Sequence, residues 1–237
     1  MSQAARKTLV VTSTFPQHEA DFRGAFLRHH WEAVARQGER VRVLAPHSRW
    51  VDGHLNTPLE VERFRYAPHP ASSLTGHFGM LENLRERPLR ALLLPGFHAA
   101  LRRAVRQQLN NFRPDRVVAH FWLPSGLVVA QSCMGKVPYE LFGHGTDVDL
   151  LLSAPRPLRK LFVRYLEGAT AVRLPSTRKL ERIREAFGWP SDHPLLAKMG
   201  VEMMSHAVAV DPGEQAPLRD DAYLLFLGRL IAQKGLP

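Results

Sequence analysis

One cysteine, Cys133, is all the thiol chemistry that 237 residues contain. A single thiol makes no intrachain disulfide and no Cys-built zinc or iron–sulfur site. A reducing compartment, the cytoplasm, is the expected one. Long hydrophobic runs are missing too. The longest uncharged stretch near the middle, Phe121 to Gly135, is interrupted by Pro124 and Gly126. It falls short of the roughly 20 residues that cross a bilayer. After Arg6 and Lys7 the apolar run stops at Thr12-Ser13-Thr14, too short for a secretory signal. G-x-G-x-x-G is absent, and with it the dinucleotide fingerprint. G-x-S-x-G is absent, and with it the nucleophile elbow. Internal repeats and low-complexity segments are also missing. The basic residues are not interleaved with an aromatic platform and no RRM, KH or helix-turn-helix signature occurs, so nucleic acid is not an expected partner.

What is present is ordinary in bulk and biased in charge. Apolar residues make up 45% and charged residues 23%, which suits a globular chain with a sizeable core. Thirty-two Lys+Arg against twenty-two Asp+Glu leave a net charge of +10, a balance that favours an anionic partner. Short β-branched runs alternate with helical spacings. Strands are predicted at Thr8 to Val11, Val41 to Ala45, Val61 to Tyr66, Arg116 to His120, Val137 to Phe142 and Thr170 to Leu174. Helix faces are marked by Leu27/Trp31/Val34/Ala35, Leu101/Val105/Leu109, Gly126 to Cys133, Leu158/Leu161/Phe162/Leu166 and Leu180/Ile183/Phe187. This rhythm predicts an α/β fold with a doubly wound, Rossmann-like parallel sheet. The rhythm breaks in the polar, Pro/Gly-containing stretch from Val208 to Pro217, and Ala222 to Leu227 begins a fresh strand. The predicted organisation is a domain over 1–200, a linker over 201–221, and over 222–237 the first strand and turn of a second domain that the chain does not continue.

In open parallel sheets ligands bind beyond the carboxyl ends of the strands, so four loops stand out. Thr12 to Phe26 is a loop, expected to be flexible, that reaches a helix start at Gly24. Free amides there suit an anion, although an ordinary connection fits as well. Ala119 to Leu127 carries His120 at a strand end and Ser125 before a helix, where a cap is the better reading than a nucleophile. Phe142 to Leu152 places His144 between Gly143 and Gly145 and adds Asp147-Val148-Asp149. That D-x-D invites a metal, but capping by Asp147 fits better. Phe226 to Gly235 sets Arg229 and Lys234 after a strand, suited to a diphosphate or simply solvated. Finally, six arginines (85, 87, 90, 102, 103 and 106) mingle with leucines between Leu81 and Arg106, split at Pro95-Gly96. That segment reads either as a membrane-surface element or as core helices with solvated arginines.

Several of these stretches resemble retaining nucleotide-sugar glycosyltransferases of the GT-B fold, and among them the large family-four group. The stretches are Thr12-Ser13-x-Phe15-Pro16 with Gly24-x-Phe26, Gly38-Glu39-x-Val41-x-Val43, and His120-Phe121-x-x-Pro124-Ser125-Gly126. To them belong Gly143-His144-Gly145-Thr146-Asp147, Lys198-Met199-Gly200-Val201 and Gly228-Arg229-Leu230-x-x-x-Lys234-Gly235. Their order along the chain carries more weight than any one of them. Lys198 stands where the family often has proline, and the family's C-terminal donor-binding E-x7-E is not in the sequence.

The resemblance implies the N-terminal, acceptor-side half of a GT-B enzyme, inactive by itself. Such an enzyme moves a sugar from a nucleotide-sugar to a polysaccharide or lipid-linked acceptor in surface glycan assembly, with no metal or other cofactor. His144, Arg229 and Lys234 are then the expected catalytic residues. Gly24, Arg229 and Lys234 would hold the donor phosphates, and Phe15, His120, Ser125 and Asp147 would stand on the acceptor side. A peripheral position at the inner face of the cytoplasmic membrane, on anionic lipid, is the expected location. The competing readings are a non-catalytic basic α/β module that binds a polyanion and, less well matched to the Arg229–Lys234 turn, a sugar epimerase of another GT-B group.

Overall fold

The computed structural model describes residues 5–50, 55–76 and 79–202. The predicted strand at 222–227 and the turn with Arg229 and Lys234 lie outside the described residues.

Seven strands form one sheet in which every neighbouring pair is parallel. They are β1 (Lys7–Thr12), β2 (Arg40–Pro46), β3 (Glu60–Phe64), β4 (Arg116–His120), β5 (Tyr139–Phe142), β6 (Ala171–Leu174) and β7 (Met199–Val201), and the spatial order is β3-β2-β1-β4-β5-β6-β7. The predicted Rossmann-like α/β sheet is therefore the observed one. Side chains alternate across it as a two-residue period demands. Leu9, Val11, Leu44, Val117 and Ala119 enter one core, which is filled by Phe97 and Leu101 of α3 (Leu94–Asn111), Val128 and Val129 of α4 (Leu127–Cys133), and Phe162 and Leu166 of α6 (Arg156–Gly168). Val10, Val43, Ala45 and Val118 face the opposite side, against Leu27 and Trp31 of α1 (Ala25–Arg36). Burial on both faces explains why the strands read as continuous apolar runs rather than alternating ones.

Several elements are shorter than sequence periodicity can register: α2 (Met80–Glu86), α5 (Thr146–Leu152), α8 (Pro194–Lys198) and the three-residue β7. The eleven-residue α7 (Thr177–Phe187) is the predicted helix of Leu180, Ile183 and Phe187. It has a serine cap, Ser176, whose side chain accepts from Lys179 N–H, and it stops at Gly188, as a glycine C-cap would have it.

The arginine-and-leucine segment is broken elsewhere than expected. Pro95 and Gly96 do not split it, because Pro95 occupies the first turn of α3, where a missing N–H costs nothing. The break falls at Arg87 (φ −139°), between α2 and a 3-10 turn at Pro88–Leu93. The core reading holds for part of the segment only. Phe97 and Leu101 are core residues, whereas Leu89 and Leu92 are 82% and 80% exposed.

Candidate functional site

The chain runs outward from β1 to β2 and β3, then returns to place β4 on the other flank of β1. The connections after β1 and β4 thus diverge, and this reversal opens a crevice at the carboxyl edge of the sheet. Register puts Thr12 beside His120 and His120 beside Phe142, so the loops that follow these residues wall the crevice.

The first wall, Ser13 to Gly24, is tied by side-chain hydrogen bonds. Asp21 accepts from Gln17 N–H at 2.9 Å, from Arg23 N–H at 3.1 Å and from Arg23 Nε at 2.6 Å. These donors hold its carboxyl below the usual range, against the opposing effect of burial. Arg63, on β3, donates to the Pro16 carbonyl and lies 5.8 Å from the Phe15 ring centre. Burial pushes its guanidinium down to about 10, partly offset by Asp21. The loop ends at Gly24, the N-cap of α1, with φ 74°. A Cβ there would lie 3.0 Å from Thr14 O and 3.2 Å from Phe15 Cα, so glycine serves the fold of the loop itself. Among the described residues, Gly24 N–H donates to no backbone oxygen.

The second wall starts at His120, fully buried at the end of β4. Phe121 follows with φ 69°, a region that costs a bulky residue of order 1–3 kcal/mol. Two backbone bonds fix it there, Phe121 N–H to Phe142 O and Gly126 N–H to Phe121 O, both 2.9 Å. Ser125 does not cap α4 as expected. It sits inside a π-turn, Trp122–Gly126, and the helix cap is Gly126. Its hydroxyl is buried with no hydrogen-bond partner among the described residues.

The third wall carries His144. A Cβ on Gly143 would meet Val148 Cγ2 at 2.6 Å, so only glycine lets β5 turn this closely onto α5. Asp147 is not the N-cap either, since Gly145 holds that place. Its carboxylate instead reaches back to two loops, accepting from His144 N–H at 2.8 Å and Trp122 N–H at 2.6 Å. Burial raises its pKa while these N–H donors resist the rise. Asp149 turns the other way, to Lys179 at 2.5 Å and Arg182 at 2.7 Å. The D-x-D carboxylates therefore serve separate partners, and among the described residues no group of three or more His, Cys, Asp or Glu could hold a metal.

These walls converge on one imidazole. His120 Nδ1 lies 3.0 Å from His144 Nε2, Phe121 stacks tilted on His144 at 4.5 Å, and Phe26 of α1 lies 5.3 Å away. Gly24, His120, His144 and Asp147 are thereby brought to one crevice. The expected acceptor-side residues are buried: Phe15, His120, Ser125 and Asp147 are 1%, 0%, 0% and 6% exposed. Their side chains build the walls from behind. Sequence reasoning missed Trp31, read only as a core position on α1. The available signal was its indole N–H, which needs a partner when buried; it donates to His120 Nε2 at 2.9 Å.

Comparison with known proteins agrees with this architecture. The description "Glycosyl transferase 4-like domain" matches residues 24–197. A Bacillus subtilis (strain 168) protein named for teichuronic acid biosynthesis, the glycosyltransferase TuaC, is 27% identical over 135 residues, 54% of this chain and 33% of that protein. Sucrose-phosphate synthase from Thermosynechococcus elongatus superposes with a TM-score of 0.55 at 17% identity, over 83% of this chain and 47% of that one. A second structure of that synthase gives 0.51 at 18% identity, over 85% and 90%. At such identity these likenesses speak to the fold, that of a GT-B N-terminal domain. The chain spans about a third of the TuaC protein and about half of the first synthase chain. With the match covering most of the sequence and every described wall of the crevice lying within or next to it, this chain belongs to the glycosyl transferase 4-like domain family of glycosyltransferases.

Proposed function

We propose that this domain is the acceptor-side half of a retaining glycosyltransferase that moves a sugar from a nucleotide-sugar to a glycan or lipid-linked acceptor in surface polysaccharide assembly. The observation that carries the reading is the placement of His144, packed against Phe26 and Phe121 at the carboxyl edge of the sheet and beside the start of α1. A sugar ring held there can receive a hydrogen bond from His144 while its diphosphate lies toward the amide of Gly24 and the positive end of α1. As the resemblance implies, Arg229 and Lys234 would neutralise the leaving diphosphate, where charge develops. In this reading Phe15, His120, Ser125 and Asp147 shape the acceptor side by fixing loops rather than by touching the acceptor. No metal is needed, because cations and amides meet the phosphate charge.

The finer reading of location is the cytoplasmic membrane face. Leu89 and Leu92 are exposed beside Arg85 and Arg87, and Arg102, Arg103 and Arg106 are exposed on α3. Among the described residues none of these five arginines is in an ion pair. Apolar side chains that insert and cations that meet anionic headgroups support peripheral attachment.

The test is transfer of labelled sugar from a panel of nucleotide-sugars in membranes of cells that express the gene product, with the anomeric configuration of the product determined. Retained configuration is expected, with a loss of roughly 10²–10³-fold in His144→Ala, by analogy with removing a preorganised donor. An inverted product would overturn the retaining reading, and undiminished transfer in the variant would remove His144 from the reaction.

A further inference from the structure

We propose that Trp31 and His120 are positioning residues that fix His144 as the neutral Nδ1–H tautomer, so that it serves the reaction as a hydrogen-bond donor and not as a base. This deepens the proposed transfer function and rests on it for its catalytic meaning, while the tautomer itself does not.

The argument is one of direction. An indole N–H can only donate. Trp31 Nε1 lies 2.9 Å from His120 Nε2, so that nitrogen must present its lone pair. The one proton of a neutral His120 is then on Nδ1. Nδ1 lies 3.0 Å from His144 Nε2, which must therefore accept in turn. A neutral His144 is left with its proton on Nδ1. Each link thus sets the next, from a tryptophan in the middle of α1 to the imidazole at the crevice.

Surroundings hold the chain of donors in place. Trp31 is 2% and His120 0% exposed, so water offers neither an alternative partner. Burial drives the His120 pKa well below the usual range, with His144 and His30 adding repulsion, and a neutral His120 is what the relay requires. Rings close on the links from the side: His120 lies edge-on to Trp31 at 5.9 Å and tilted on Phe142 at 4.8 Å. Protonating His144 at Nε2 would set two N–H groups against each other across 3.0 Å. With Nε2 occupied and Nδ1 protonated, His144 holds no lone pair for a substrate proton. Its chemistry toward a sugar is donation to a hydroxyl or phosphate oxygen.

Long-range proton–nitrogen correlation spectra of the 237-residue chain labelled with 15N-histidine read each ring's tautomer directly. The expected result is His120 and His144 both neutral and both protonated on Nδ1 near pH 7.5. Trp31→Phe keeps an aromatic ring but removes the donor, and should move His120 and His144 together toward mixed tautomers. A merely structural role for Trp31 would leave those populations unchanged. An Nε2–H or cationic His144 in the unaltered protein, or unchanged tautomers in a folded Trp31→Phe, would overturn the relay. Should Trp31→Phe fail to fold, the spectrum of the unaltered protein decides. Because the readout needs no turnover, absent sugar transfer would sink the functional reading and leave the relay standing.

Discussion

Asp147 shows how one buried carboxylate joins two loops, accepting from Trp122 N–H, 25 residues earlier in the chain, and from His144 N–H, three residues earlier. Asp147→Asn replaces one acceptor oxygen by an NH₂ that faces a backbone N–H. The expected loss is about 2–4 kcal/mol, measured as a shift in urea midpoint at constant slope. His120 makes a second prediction at this scale. Its folded pKa lies well below 6.5 because of burial, with His144 and His30 facing it. Below about pH 6.5 the unfolded chain binds a proton that the folded site refuses, so the associated stability is present above that pH and lost as pH falls. One such proton gives a slope of about 1.4 kcal/mol per pH unit. His30 and His47 are pushed down by burial as well, and Asp147, whose pKa is raised, acts in the opposite sense nearer the carboxylate range. Unfolding at pH 7.5 and 5.5 should show a shallower acid decline for His120→Gln than for the unaltered protein. An identical decline would mean that His120 takes up its proton while folded.

The connection from β1 to α1 carries the clearest element-scale consequence. Gly24 and Gly135 have nearly the same positive φ, 74° and 72°, but a Cβ on Gly135 meets nothing within 4 Å while one on Gly24 presses on Thr14 O and Phe15 Cα. Gly135→Ala should therefore cost only the left-handed backbone term, about 1–2 kcal/mol. Gly24→Ala should cost distinctly more and lower Tm by several degrees further, at about 2–4 °C per kcal/mol for a domain of this size. Equal Tm losses would show that the loop yields and that the close approach is not needed. The long elements and the strands were legible in the sequence because each repeats a period over a full face. The cap assignments were not: Ser125 and Asp147 stand at positions where serine and aspartate usually cap, but tertiary contacts to Phe121, Trp122 and His144 set the turn instead.

At the scale of the molecule, charge and exposed leucine combine. Near an anionic bilayer each basic residue contributes about 1 kcal/mol, so on the proposed membrane reading Arg85, Arg87, Arg102, Arg103 and Arg106 would suffice for reversible attachment. The protein should sediment with phosphatidylserine vesicles at low salt, and less so as the Debye length shortens to about 3 Å at 1 M. Leu89→Ser with Leu92→Ser should weaken this binding without lowering Tm, since both side chains are already in water. Equal, negligible binding to neutral and anionic vesicles at low salt would remove the membrane surface from the list of partners. Binding of a soluble polyanion with the same salt dependence and no leucine effect would favour the polyanion reading instead.

The α/β class, the parallel sheet and the order of the motif loops follow from hydrophobic periodicity and glycine placement, which are local properties of the chain. The sequence by itself also put His144 at a strand's carboxyl end between two glycines. Which side chains stand behind that imidazole was decided only in three dimensions. Trp31, His120 and His144 are 89 and 24 residues apart in steps along the chain, and no local pattern relates them. They meet because β4 lies between β1 and β5 while α1 packs over the sheet beside them. Burial there removes water as a partner and leaves each buried nitrogen only the neighbour that the fold supplies.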